Sequence, residues 1–343
     1  MAEAAIDRPS PAEDEDDDRE VAVPPPFPCV LPAGLRSDWP APRRAVLGPR
    51  GGFVAGVESV LARGVLGVLA RLPLVLRDPA VAAMARAAKA LDRRRNRAAR
   101  TFLLQALGPS MSERELERRV LQAWVHLFTV TLDSEVLDRR APAGRILEHF
   151  EVELCPDAAR IATSGTGSIL ATAHVGDWET GSAVMPWIGF DPFYVVSKPP
   201  KNRPLSVHAQ RIRERRGVRL LPRRGAMKDA PAVVRGGGML GLILDQRARR
   251  RPVHAPFFGR RARCDRSAAV LLKRLRAPIV FAACYKTSTP WRWRLVAPAV
   301  LWPADLAGRS VEEITAVVNR ELEKLILAAP EQYFWLHDRY REE

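Results

Sequence analysis

The chain has 343 residues, 47% of them hydrophobic, with a formal net charge of +15; that length and apolar content suffice for a sizeable core. Its four cysteines, Cys29, Cys155, Cys264 and Cys284, form no C-x-x-C pair, which excludes a zinc ribbon or redox motif and favours reduced thiols in a cytosolic compartment. Residues 1–20 hold nine acids against Arg8 and Arg19, a net of −7, so the remainder carries +22, and a body that basic favours an acidic partner: nucleic acid, anionic lipid or an acidic carrier protein.

In chain order, residues 1–50 are acidic and proline-rich, including Pro24-Pro25-Pro26, and read as a mostly disordered tail. The segment lacks the basic and apolar regions of a signal peptide. Residues 51–76, GGFVAGVESVLARGVLGVLARLPLVL, form the most apolar stretch, interrupted by Glu58, Arg63 and Arg71. A central arginine costs about 2.5–3.5 kcal/mol on insertion into a bilayer. A weakly amphipathic helix lying in the interface therefore competes with a helix packed on the protein's own core. Residues 78–138 read as helical, and Ser112-Glu113-Arg114-Glu115 has the S-x-x-E pattern of a capping box. The boundaries that follow are a tail over 1–50, a helical region over 51–147 and a core over 148–343.

From about residue 148 short apolar runs alternate with helical stretches. SILATAH (168–174), FYVVS (193–197), MLGLILD (239–245) and APIVFAACY (277–285) predict strands; 203–216, 226–235, 266–276 and 310–328 predict helices. The alternation implies an α/β fold, a mixed central sheet flanked by helices with a helical N-terminal portion. Trp291-Arg292-Trp293-Arg294 reads as a strand with one tryptophan face and one arginine face, against seating at a membrane interface.

Two apparent motifs fail. The G-x-G-x-x-G of Gly236, Gly238 and Gly241 follows a helix and precedes a strand, the reverse of dinucleotide-binding order. Ser164-Gly165-Thr166-Gly167-Ser168 is not a G-x-S-x-G nucleophile elbow, which argues against a serine hydrolase. The informative segment is 168–183, SILATAHVGDWETGSA. An apolar strand runs into His174, Gly176 gives a tight turn, and Asp177 is placed to cap a helix beginning at Trp178. His174 thus stands at a strand's C-terminal end, where α/β sheets place their ligand crevices. Glu179, in the first helical turn, is within reach to orient the imidazole and stabilise its protonated form, and amides at the helix start are available to an oxyanion. Taken alone, H-x4-E is a weak match, and a lone histidine is more often structural than catalytic.

The H-x4-[DE] box at a strand end resembles the signature of glycerolipid acyltransferases, and AHVGDWE (173–179) resembles the H-x-G-N-W-E box of the lipid A lauroyl/myristoyl acyltransferase family. NRPLSVHAQRIRERRG (202–217), GLILDQRARRRPVHAPFFG (241–259) and APEQYFWLHDRY (329–340) are similar to further segments of that family, in order. The likeness runs from about residue 90 to the end. Asp177 stands where the family often has Asn, and a clean N-terminal membrane helix is missing. The resemblance implies a glycerolipid acyltransferase-like fold and transfer of a fatty acyl chain from an acyl thioester to a lipid hydroxyl, with acyl carrier protein as donor and coenzyme A as the other candidate. It implies His174 as general base, Glu179 as its partner and Arg213 as the site arginine, chosen over the adjacent Arg211, Arg215 and Arg216. Asp245 and Gln246 are expected at the site as positioning residues, and Asn202 and Gly176 complete the expected substrate-binding set.

No metal and no cofactor beyond the acyl thioester is expected. The expected partners are the acyl donor, a lipid A precursor-like acceptor and an anionic membrane surface at the cytoplasmic face of the inner membrane, with no nucleic acid. The dense arginines, Arg223-Arg224, Arg247, Arg249 to Arg251, Arg260-Arg261 and Arg263, suit phosphates or a solvated surface. The alternatives are a lysophospholipid or glycerol-phosphate acyltransferase and, from another class, a non-catalytic basic protein binding nucleic acid or anionic membrane.

Overall fold

A computed structural model describes residues 47–341; the expected tail lies outside the described residues as far as residue 46. Residues 48–50 already belong to the folded body: the Gly48 amide donates to Ser206 Oγ at 2.8 Å and the Arg50 amide to the Lys201 carbonyl at 2.9 Å.

Four helices come first: α1 (Phe53–Leu69), α2 (Leu74–Leu91), α3 (Arg93–Leu107) and α4 (Glu113–Arg140). The apolar run 51–76 is not one helix, which corrects the expectation. Pro73 has no amide to continue α1 and instead takes extended backbone as the N-cap of α2. α1 buries only Ala55 and Ser59 and leaves Phe53, Val54, Val57, Val60, Leu61, Val65 and Val68 exposed. Among the described residues no helix is long and apolar enough to cross a membrane. At α4, Ser112 caps the Glu115 amide as expected, but the Glu115 carboxylate turns to Arg118 and Arg119 and the capping box stays half-formed.

The α/β part runs β1 (Phe150–Leu154), α5 (Pro156–Ser164), β2 (Ser168–Thr172), α6 (Trp178–Val184), β3 (Phe193–Ser197), α7 (Arg203–Arg215), β4 (Val218–Pro222), α8 (Ala226–Arg235) and β5 (Met239–Ile243). It continues with β6 (Val253–Phe257), β7 (Arg260–Cys264), α9 (Ser267–Leu275), β8 (Ile279–Lys286), β9 (Trp293–Leu301) and α10 (Val311–Ala328). Seven strands form one sheet in the order β1-β9-β8-β2-β5-β3-β4, and β6 pairs with β7 in a separate hairpin. The β8–β9 pairing is antiparallel and the others in the seven-stranded sheet are parallel. The fold is thus a mixed α/β sheet flanked by helices, with the helical N-terminal portion packed onto it.

Both faces of the sheet are covered, so its central strands read as continuous apolar runs rather than alternating ones. Successive residues of β2 still point to opposite sides: Ile169 and Ala171 join the core shared with α2–α4 and α8–α10, while Leu170 joins the core under α5 and α6. Phe102 of α3 packs edge-on against Tyr333, Trp335 and Tyr340, tying the N-terminal helices to the C-terminal segment. β9 begins only at Trp293, with Trp291 in the preceding turn at φ +60°, so the expected alternation fails at Trp291-Arg292 and holds from Trp293, where Trp293 and Leu295 are buried and Arg294 is exposed.

Candidate active site

Strand register brings the site together. β2 and β5 are parallel neighbours with Thr172 beside Ile243, so their carboxyl ends lie side by side and the residues two positions on, His174 and Asp245, meet. The His174 Nδ1 to Asp245 Oδ1 distance is 2.8 Å, and the His174 amide donates to Asp245 Oδ2 at 3.1 Å, across 71 residues of chain. Tyr333 Oη donates to the same Oδ2 at 3.0 Å. Three donors on one buried carboxylate fix its plane, and a donated Nδ1–H leaves Nε2 of His174 as the basic nitrogen. The ring packs in a T-shaped contact with Trp178 and a tilted one with Phe334, with centroids 5.2 and 5.9 Å away.

Asp245, not Glu179, is therefore the hydrogen-bond partner of the imidazole, which corrects the expectation from spacing. Glu179 projects from the first turn of α6 toward α7 and accepts two hydrogen bonds from Arg213, Nε to Oε2 at 2.9 Å and Nη2 to Oε1 at 2.5 Å. Asp245 is fully buried behind His174, while the mostly buried Glu179 lines the pocket. Burial works against a charge on each; for Asp245 the neighbouring His174 outweighs it and holds the carboxyl down at about 2. For Glu179 the Arg213 guanidinium does the same, holding it below the ordinary carboxylate range. Burial likewise opposes protonation of His174, but the Asp245 charge and hydrogen bond, then Glu179, outweigh it and raise the imidazole above its ordinary 6.5.

The segment that carries His174 is held from beneath. Asp177 caps α6 through the Thr180 amide at 3.1 Å and accepts from Trp293 Nε1 at 3.0 Å. Gly176 has φ +62°, and a Cβ there would lie 2.0 Å from the Cys284 carbonyl oxygen. Its amide donates to the Gln332 carbonyl, that of Asp177 to Cys284 and that of Phe334 to the His174 carbonyl. Gly176 thus serves a close backbone approach and does not line the pocket, contrary to its expected place among substrate contacts. With the amides of Gly176, Asp177 and Thr180 taken, the helix start also offers an oxyanion less than its sequence suggests.

His174, Glu179, Arg213 and Gln246 line one pocket of about 510 Å³. Its floor is apolar, with Leu170, Met185, Leu242 and Leu295, and its rim carries Lys198, Arg223 and Arg247. Of the four neighbouring arginines on and after α7, Arg213 is the one lining this pocket; Arg215 and Arg216 bind Asp138 instead. Asn202 is displaced from its expected role. It caps α7 through the Leu205 amide at 3.0 Å and donates to the Ala55 carbonyl and Glu58, clamping α1 to α7 outside the pocket. Sequence reasoning also missed Tyr333 as a site residue; its signal was the Pro-Glu-Gln-Tyr segment (330–333), whose tyrosine is buried on Asp245.

The family model of bacterial lipid A biosynthesis acyltransferases matches residues 56–342. Comparison with curated proteins returns no match.

Proposed function

The chain belongs to the bacterial lipid A biosynthesis acyltransferases and is an acyltransferase enzyme; from that premise we propose that it moves a fatty acyl chain directly from an acyl thioester to a hydroxyl of a lipid A precursor-like acceptor. The observation that carries this reading is the 2.8 Å contact of His174 Nδ1 with Asp245, at the wall of a pocket with an apolar floor and a cationic rim. Nε2 of His174 takes the proton of the acceptor hydroxyl. The oxygen attacks the thioester carbonyl, the carbon–sulfur bond breaks, and the imidazolium returns the proton to the leaving thiolate. Asp245 stabilises the imidazolium, while the Glu179–Arg213 pair holds the pocket wall and keeps a fixed guanidinium beside the reaction.

Direct transfer is favoured over an acyl-enzyme because the nucleophiles in the pocket are poorly prepared. Burial pushes the Cys284 thiol well above its ordinary value, and Ser182 Oγ donates to the Glu179 carbonyl at 2.7 Å. The cationic rim supports a phosphorylated acceptor and a phosphopantetheine donor, with acyl carrier protein preferred and coenzyme A as the other carrier. The exposed apolar side chains of α1 support a peripheral position on the cytoplasmic face of the inner membrane.

Purified protein is mixed with acyl carrier protein or coenzyme A thioesters and with three acceptors: a lipid A precursor, a lysophospholipid and glycerol phosphate. Mass spectrometry should find one added acyl chain on the lipid A precursor. Acylation of the lysophospholipid or glycerol phosphate alone would favour the glycerophospholipid alternative.

A further inference from the structure

Apart from the catalytic pocket, a cleft of about 530 Å³ opens between the start of α3, the β6–β7 turn and the C-terminal segment. Five arginines line it, Arg93, Arg94, Arg97, Arg260 and Arg339, against one carboxylate, Asp338. Among the described residues none of the five forms a salt bridge. Arg260 stacks 4.8 Å over the ring of Tyr340, whose hydroxyl is fixed by the Phe257 carbonyl at 2.6 Å. Arg339 is 1% exposed; Nη1 and Nη2 donate to the Arg263 carbonyl and Cys264 Sγ, while Nε has no hydrogen-bond partner. A buried guanidinium without a counter-ion is costly, and an anion in the cleft would offset that cost.

The surface leading to the cleft identifies the anion's carrier. The outward face of α2 exposes Val75, Leu76, Pro79, Ala83, Ala90 and Leu91, with Asp78 and Arg86 as its exposed charges. Leu91 is 85% exposed at the helix end that abuts the arginines. This sparsely charged face ends at a cluster of guanidiniums. That is the order of chemistry met from acyl chains to phosphates at a bilayer surface. We propose that the cleft is a second ligand site, a clamp for the phosphate head groups of anionic phospholipids, which docks the enzyme on the membrane independently of the catalytic pocket. It rests on the peripheral reading given above, and charge complementarity selects the occupant: a planar guanidinium fork pairs with phosphate oxygens two at a time.

The test uses the full chain and two variants of equal charge: Arg94→Ala with Arg97→Ala in the cleft, and Arg235→Ala with Arg274→Ala at exposed positions elsewhere. Binding is measured by co-sedimentation with phosphatidylglycerol and phosphatidylcholine vesicles. The cleft variant should lose affinity for phosphatidylglycerol vesicles by about fivefold for each arginine removed, with much less change on phosphatidylcholine. The control should bind nearly as wild type. Turnover on detergent-dispersed substrates should be unchanged in both. Equal losses in the two variants would overturn the proposal in favour of diffuse electrostatics. A loss confined to acyl carrier protein binding would overturn it in favour of a protein partner. Displacement from vesicles by micromolar glycerol phosphate would overturn the lipid source in favour of a soluble phosphate. If wild type binds neither vesicle, the peripheral reading itself fails and the clamp with it. If wild type binds and the cleft variant binds equally, the clamp alone fails.

Discussion

The two sides of the catalytic pocket carry one ion pair each, and the pairs are built differently. On the sheet side His174 meets Asp245 because two parallel strands end together. On the helix side Glu179 meets Arg213 because α6 and α7 face each other over the strand ends. The first pair contains an imidazole, raised above its ordinary value by the Asp245 charge, and the second pairs a carboxylate held low with a guanidinium. In the mechanism proposed above, proton movement belongs to the sheet side and a constant electrostatic wall to the helix side. Acids three and five residues after the histidine are both committed elsewhere, Asp177 to capping α6 and Trp293, Glu179 to Arg213.

Substitutions on each side should separate these roles. His174→Ala should have the largest effect, a loss of about 10²–10⁴-fold in turnover with an unchanged circular dichroism spectrum; near-wild-type turnover would remove the sheet side from the chemistry. Glu179→Gln should act first on stability. It leaves a mostly buried guanidinium unpaired, at a cost of about 3 kcal/mol, the low end for a buried pair because about a fifth of each side chain meets water. Urea unfolding checks this, and Glu179→Met with Arg213→Met should recover part of the loss because no lone charge remains.

Asp245→Asn should both lower turnover and move the acid limb of kcat/KM. The limb follows His174, whose folded value lies above 6.5 because of the Asp245 charge. Removing that charge lets the imidazole lose its proton at lower pH, so the limb should shift to lower pH. Tyr333→Phe should have the smallest effect, severalfold in turnover, since it deletes one of three donors to Asp245 while the ring stays packed against Trp335; wild-type turnover would reduce Tyr333 to a packing role.

Much of this was legible beforehand. The strand into His174, the cap at Asp177 and the helices near 203–216, 226–235 and 310–328 follow from apolar periodicity and local capping chemistry, which neighbouring residues decide. The partner of His174 was not, because Asp245 approaches only through a β2–β5 register 71 residues apart, and spacing alone favours a nearby acid such as Glu179. Asn202 failed for a related reason: its place in the segment was visible, but its use as a clamp on Ala55 depends on where α1 lies. The strand β4, VRLLP, is as long as β3 but was hidden because Arg219 and Pro222 break its apolar run beside the arginine-rich helix that precedes it. The break at Pro73 was visible as a residue but was outweighed by the continuous apolar composition of 51–76.

The central claim is that Asp245, and only secondarily Glu179, holds the catalytic imidazole. NMR titration of ring-labelled histidine, with His174 assigned by its loss in His174→Ala, measures this directly in wild type, Asp245→Asn and Glu179→Gln. The account predicts a His174 pKa above that of a free histidine in wild type, a large fall in Asp245→Asn and a smaller fall in Glu179→Gln. A large fall in Glu179→Gln with little change in Asp245→Asn would contradict it.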